Sequence, residues 1–206
     1  MERIKEILLE TFNPMLAGIM ISIGCLVNLS CGNKYIGAIL FSVGLLTIIA
    51  FQFDLFTGKV GYINDKDNDL LFLISVWCGN YLGVLFSVIL IKFTKLNILQ
   101  SKALNLVQNK FDDSLISLFI LGMFCGLLMF VAIHVANSNC NSLMKIILII
   151  FCVSSFILIG FEHCIADMFY FAVANQLGTE SLVRLIVISI GNGVGANIIS
   201  VAKRLK

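Results

Sequence analysis

Apolar residues run through this chain in long blocks separated by short polar stretches. Blocks at 14–31, 35–53, 70–92, 114–137, 143–160 and 182–202 each approach the roughly 20 mostly apolar residues that carry a helix across a bilayer. A shorter block lies at 164–175. The pattern predicts an all-α membrane protein with six transmembrane helices and one half-span. The second and fifth blocks run straight into polar interruptions, FDLFTGK at 53–59 and FEHC at 161–164.

The two interruptions look alike. Phe53-Asp54 and Phe161-Glu162 each place an aromatic and then an acid after a long apolar run. The third and sixth blocks share Gly79-Asn80-x-x-Gly83 and Gly191-Asn192-x-x-Gly195. The order of span, broken span and Gly-Asn-x-x-Gly span therefore occurs twice, as one transmembrane domain over 1–206 with repeats of about 12–95 and 112–203. Three spans is an odd number, so the second half must enter the membrane in the opposite sense. In such inverted repeats the site lies near the midplane, where discontinuous helices meet. Non-helical backbone survives at that depth only if buried or lining a cavity. The expected pathway is flanked by Asp54–Gly58 and Phe161–Cys164. Close helix packing also accounts for the glycines, and an asparagine can bond across a helix interface. That reading leaves unexplained why the asparagines and the acids recur together.

Composition agrees with a lipid-solvated chain. Of 206 residues, 59% are hydrophobic and 13% charged, against roughly a quarter charged in soluble domains; mean hydropathy is +1.01. A net charge of +2 without a basic run gives no reason to expect a nucleic-acid partner. The opening MERIKEILLETFNP mixes both charge signs, unlike a cleavable signal peptide. With the N-terminus inside, Arg3, Lys5, Lys59, Lys66, Lys145, Lys203, Arg204 and Lys206 face the cytoplasm, eight of the fourteen basic residues. Lys92, Lys95, Lys102 and Lys110 fall outside. The positive-inside rule therefore leans towards a multi-pass protein of the inner (plasma) membrane with both termini cytoplasmic. Trp77 and the tyrosines fit interfacial anchoring.

Glu162 and His163 carry the first candidate chemistry, because ionisable groups at bilayer depth are costly and mark functional sites by default. A histidine beside a carboxylate is placed to exchange protons with a weak acid near physiological pH; alternatively it stays neutral and donates a hydrogen bond. Either way the barrier is clear, since desolvating an anion costs several kcal/mol and protonation removes most of that cost. Asp54 and Glu162 are expected first as anchors that accept hydrogen bonds from loop amides, and second as proton carriers. Thr57 precedes Gly58, whose backbone freedom suits a break. Freed amides at a new helix start attract anions, although Thr57 also suits a capping role. His134 is expected at the membrane interface. Cys25, Cys78, Cys125, Cys152 and Cys164 lie in apolar blocks without a Cys-x-x-Cys pair and are read as small packing residues; no metal or cofactor is expected.

AGIMISIG at 17–24, DLFTG at 54–58, WCGNYLG at 77–83, FEHCIADMF at 161–169 and IGNGVG at 190–195 resemble the formate/nitrite transporter family, in its order and with nearly its spacing. The resemblance implies an aquaporin-like fold with broken second and fifth helices, assembled as a homopentamer in the lipid bilayer with one pore per protomer. Small monovalent anions such as formate, nitrite or hydrosulfide, or their weak acids, would pass by channel or proton-coupled transport. It further implies a central histidine, His163, facing a threonine, Thr57, between apolar constrictions at Leu45 and Leu55 with Phe41 nearby, and at Phe156. Lys110 matches a basic residue that attracts anions, and Asn192 the Gly-Asn of the sixth span. Asp54, Glu162 and Asp167 would support the site. The likeness departs at Asp167, where the family usually reads Ala-Asn-Met, and at Gly126, where it has an asparagine.

The alternative is a pore for a neutral small solute such as water, glycerol or a gas. No Asn-Pro-Ala repeat occurs at the breaks; Asn13-Pro14 precedes the first block. A membrane enzyme using the Glu–His pair is not expected, for no nucleophile elbow, His-Glu-x-x-His motif or phosphate loop is present.

Overall fold

A computed structural model describes residues 2–63 and 68–204, with side chains over 12–63 and 68–203. Lys66 and Lys206, and the side chains of Arg3, Lys5 and Arg204, lie outside the described residues. The helices are α1 (Glu2–Ser30), α2 (Lys34–Phe51), the one-turn α3 (Phe56–Lys59), α4 (Leu70–Lys92), α5 (Gln100–Asp112), α6 (Leu115–Ala136), α7 (Ser142–Ile159), α8 (Cys164–Val173) and α9 (Thr179–Arg204). Short 3-10 segments follow α3 and precede α5.

Six of these helices are long and apolar enough to cross a membrane: Phe12–Ser30, Lys34–Phe51, Leu70–Lys92, Leu115–Ala136, Ser142–Ile159 and Thr179–Lys203. This is a multi-pass membrane protein, and the apolar blocks located its spans. Two features differ from expectation. The first helix starts at Glu2, well before the block, and passes through Pro14. The segment between the third and fourth spans folds as α5, whose mixed polar sequence gave no apolar signal.

The spans look apolar on every side because each has two apolar surroundings. On α2, Gly37, Phe41, Gly44, Leu45 and Ile48 recur every three or four residues and face the interior. Ile39 and Val43 point outward, as a helix in apolar surroundings allows. Polar side chains fix the helix starts: Asn33, Asp69, Ser114 and Asn141 each accept from amides of the turn that follows.

The two broken spans stop in the same way. Gln52 (φ 58°) and Gly160 (φ 86°) are left-handed, and the amides of Phe53 and Phe161 reach back to the carbonyls of Ile48 and Phe156 at 3.0 and 2.9 Å. This is the reversal that ends helices before a loop. The chain turns at Gln52, not at Gly58, which is helical.

Glycines set the closest crossings. α1 packs on α4, and α6 on α9. A Cβ at Gly18 would collide with the Asn80 carbonyl, and one at Gly126 with that of Asn192. Gly83 and Gly195 press against the carbonyls of Met15 and Met123 in the same fashion. Such close approach is how membrane helices associate without a hydrophobic drive between them. α2 lies beside α7, bringing the two breaks together, and α8 is buried along its whole length among α1, α4, α5 and α9.

Candidate functional site

Each break is clamped by the asparagine of the Gly-Asn motif. Asn80 Oδ1 accepts from the Phe56 amide at 2.9 Å, while its Nδ2 donates to the carbonyls of Asp54 and Pro14, both at 2.8 Å. Asn192 Oδ1 accepts from the Cys164 amide at 3.0 Å, and its Nδ2 donates to the carbonyls of Glu162 and Gly122, both at 2.8 Å. Buried backbone groups must be paired, and here the side-chain amide does it at membrane depth. The sequence placed Asn192 along the substrate pathway. It is fully buried and its amide is spent on backbone groups, so it holds the break instead. The first amide of each half-helix is thereby occupied and does not offer itself to an anion, contrary to expectation.

The acids of the breaks bind cations with their carboxylates. Asp54 meets Lys59 Nζ at 2.7 Å and Asn13 Nδ2 at 3.1 Å; Glu162 meets Lys110. Neither carboxylate takes the loop-amide role expected of it; their carbonyls are what the asparagines bind.

Between the breaks, Thr57 Oγ1 and His163 Nε2 stand 2.9 Å apart, both buried. His163 is the N-cap of α8, and its Nδ1 accepts from the Ala166 amide at 3.2 Å. With Nδ1 occupied as an acceptor, the neutral ring carries its proton on Nε2 and donates it to Thr57. Thr57 is not a cap: α3 is capped by Leu55 without a side-chain bond.

A cavity adjoins each partner of this pair, one bordered by Gly58 next to Thr57 and one by His163 itself. A cavity of about 530 Å³ is bordered by Leu55, Lys59, Tyr62, Asn68 and Ile133. A second, of about 310 Å³, is bordered by Lys110, Phe156, Glu162, His163 and Asp167. Phe41, Leu45, Leu55 and Phe156 are all buried. Phe41 meets Phe156 edge-on at 5.8 Å, and Phe156 stacks on His163 at 5.6 Å. Leu55 borders the first cavity and Phe156 the second.

The second cavity holds a cluster of charges. Lys110 Nζ binds Glu162 and, at 2.9 Å, Asp167 Oδ1. Burial by itself would push the lysine down, but Asp167 and Glu162 outweigh it and hold the ammonium above its ordinary pKa. Asp167 is directed at Lys110, and its buried Oδ2 has no hydrogen-bond partner among the described residues. Arg184 holds the end of α5 through the carbonyls of Lys110 and Phe111, at 2.8 and 2.6 Å.

Other candidates lie elsewhere. His134 stands near the end of α6, stacked on Phe130 and bonded to Lys203 at 3.0 Å and Tyr62 at 3.4 Å. Trp77 donates to Ser189 of α9 at 2.9 Å, so it joins two helices in addition to any contact with lipid. Cys25, Cys125, Cys152 and Cys164 are buried, whereas Cys78 is exposed.

A sequence model described as formate/nitrite transporter matches residues 5–203. The chain belongs to the formate/nitrite transporter family. It is similar to the formate channel FocA of Haemophilus influenzae, 27% identical over 149 residues, covering 66% of this chain and 52% of that protein. The probable formate transporter of Methanothermobacter thermautotrophicus is 28% identical over 196 residues, covering 80% of this chain and 72% of that one. The chain spans about half the length of the FocA relatives it matches. A solved pentameric formate channel with formate bound has a TM-score of 0.81 at 24% identity, over 98% of this chain and 97% of that one. The fold is therefore the aquaporin-like one of this family, with its second and fifth helices broken, and the family is one of transporters and not of enzymes.

For a member of the formate/nitrite transporter family, both departures have a local reason. Gly126 lies against the Asn192 carbonyl as Gly18 lies against that of Asn80, so no side chain fits there. Asp167 is an ion-pair partner of Lys110. No local pattern pointed to Asn13 as a partner of Asp54, or to Arg184 as the holder of α5, since both contacts join distant segments. Lys59, five positions after Asp54, was legible as a charge but not as its partner.

Proposed function

We propose that this chain conducts small monovalent anions or their weak acids, of the formate, nitrite or hydrosulfide class, through each protomer. The single observation that carries the reading is the Thr57–His163 pair, 2.9 Å apart and buried, with one cavity reaching Gly58 beside Thr57 and another reaching His163. His163 serves as a neutral N–H donor to Thr57, which leaves the threonine hydroxyl free to donate to a passing anion. Phe41, Leu45, Leu55 and Phe156 form the apolar constrictions on either side, and Lys59 and Lys110 stand at the two cavities. The domain is two inverted halves, about 12–95 and 112–203, as the matching clamps by Asn80 and Asn192 suggest. The assembly is a homopentamer in the inner (plasma) membrane, with both termini and the Lys59 cavity cytoplasmic; the pentameric formate channel of the same fold and the lean of the basic residues support this.

Purified protein in liposomes tests the reading. Flux of formate, nitrite and hydrosulfide should exceed that of glycerol and fall in Thr57→Val. Equal glycerol flux would favour the neutral-solute pore.

A further inference from the structure

We propose that Glu162 and Asp167 hold one shared proton on Lys110, and that this carboxyl pair, in place of His163, is the group that exchanges protons with a passing weak acid. Three observations carry it. Both carboxyl groups meet the same ammonium, Glu162 through Oε2 and Asp167 through Oδ1. Two carboxylates gathered on one ammonium repel each other, and a proton on either removes that repulsion. Asp167 Oδ2 is buried and has no hydrogen-bond partner among the described residues, which leaves one acceptor position open beside a cavity that Glu162, Asp167 and His163 all line. Finally, the three ionised groups sum to −1 in a buried place, and one added proton makes the cluster neutral.

The neighbouring groups leave this pair alone in the role. His163 Nδ1 is engaged by the Ala166 amide and must give up that bond to take a proton. Cys25 of α1, Cys125 of α6, and Cys164 and Tyr170 of α8 lie near enough to feel the Asp167 charge, but they are thiols and a phenol without charge of their own. Asp113 at the cavity wall is bonded to Ser114 N–H and Ser117 O–H. Arg184 of α9 is taken by Glu180 and the end of α5; Lys59, the last residue of α3, is paired with Asp54. The buried residues of α4 include no ionisable side chain.

The step balances. An anion A⁻ enters from the Lys110 side, the O–H bond of the protonated carboxyl breaks, and an O–H bond forms on the anion. Neutral HA moves towards the constriction, leaving Glu162 and Asp167 both ionised on Lys110 with a net charge of −1. A proton from the water of the cavity then restores the pair. This consequence rests on the transport reading, whereas the proton site itself does not.

Infrared difference spectroscopy of the purified protein in lipid, across a pH titration, tests the site without transport. A C=O stretch of a protonated carboxyl is expected near neutral pH and should vanish in both Asp167→Asn and Glu162→Gln, since either variant leaves one carboxylate on one ammonium. Absence of the band in the parent protein, or its persistence in both variants, overturns the site. Formate flux in liposomes then tests its use: the rise of flux on acidification should be flattened in Asp167→Asn and in Glu162→Gln. Retention in Asp167→Asn would overturn the proton-exchange role even with the band present.

Discussion

Asn80 and Asn192 make the same three hydrogen bonds, each to the first amide of a half-helix, to the carbonyl of the acid before it, and to a carbonyl of the preceding glycine-packed helix. Each clamp pairs backbone groups that lipid cannot. An unsatisfied buried group costs about 1–3 kcal/mol, so Asn192→Ala should lower stability by at least that much. Asn192→Asp keeps the acceptor for Cys164 but loses both donated bonds, and should be nearly as damaging. Thermal unfolding in mild detergent checks this; an Asp variant as stable as the parent would mean that the donated bonds contribute little.

Thr57 and His163 should separate transport from folding. Thr57→Val removes the acceptor for Nε2–H at constant shape, and flux should drop by an order of magnitude or more, a loss of about 1.4 kcal/mol or more in barrier terms. Thr57→Ser should retain most of the flux. Stopped-flow uptake in liposomes distinguishes them, and equal loss in both variants would argue for a packing role for Thr57.

The proposed constriction residues predict a leak. Leu55→Ala or Phe156→Ala should admit larger or neutral solutes and cost about 2–5 kcal/mol of stability through the cavity left behind. Glycerol-driven swelling of liposomes would report the opening. A tight variant would show that these side chains do not close the path.

The spans were legible because lipid demands long apolar runs, and the breaks because Asp54 and Glu162 interrupt two of them at matching points. Recurrence of Asn80 and Asn192 marked equivalent positions, but not what their side chains hold. Helix α5 was missed because Gln100–Asp112 is polar enough to pass for a loop. Lys110 drew notice through family likeness alone, and its bond to Asp167 depends on α5 folding back over α8. No local pattern encodes such a meeting. The protonation state of His163 was equally hidden, since it depends on the Ala166 amide capping one ring nitrogen.

Gly126 offers a test of packing. Its position against the Asn192 carbonyl leaves no room for a β-carbon, so Gly126→Ala should cost at least the 1–3 kcal/mol typical of overpacking, and Gly126→Asn more. Gly178→Ala meets nothing within 4 Å and should be neutral. Yield of folded protein on size exclusion compares the three, and a well-behaved Gly126→Asn would show that α6 and α9 separate easily.

Lys110→Met should make stability strongly dependent on pH. In the parent protein one ammonium faces the carboxyl groups of Glu162 and Asp167. Removing one partner from a buried ionic group costs about 3–5 kcal/mol, so the variant should be clearly less stable at neutral pH. Its folded state can relieve the charge by binding protons that the unfolded chain, with ordinary carboxyls near pKa 4, does not bind. Stability changes with pH according to the protons bound by the unfolded state less those bound by the native one. That difference is negative here, so stability falls as pH rises and recovers on acidification towards pH 5. The double variant Lys110→Met/Asp167→Asn has one buried carboxyl in place of two, and its dependence on pH should be about half as steep. Thermal melts from pH 5 to 8 measure both slopes. A flat profile in Lys110→Met would mean that water reaches the two carboxylates and that the lysine does not hold them together.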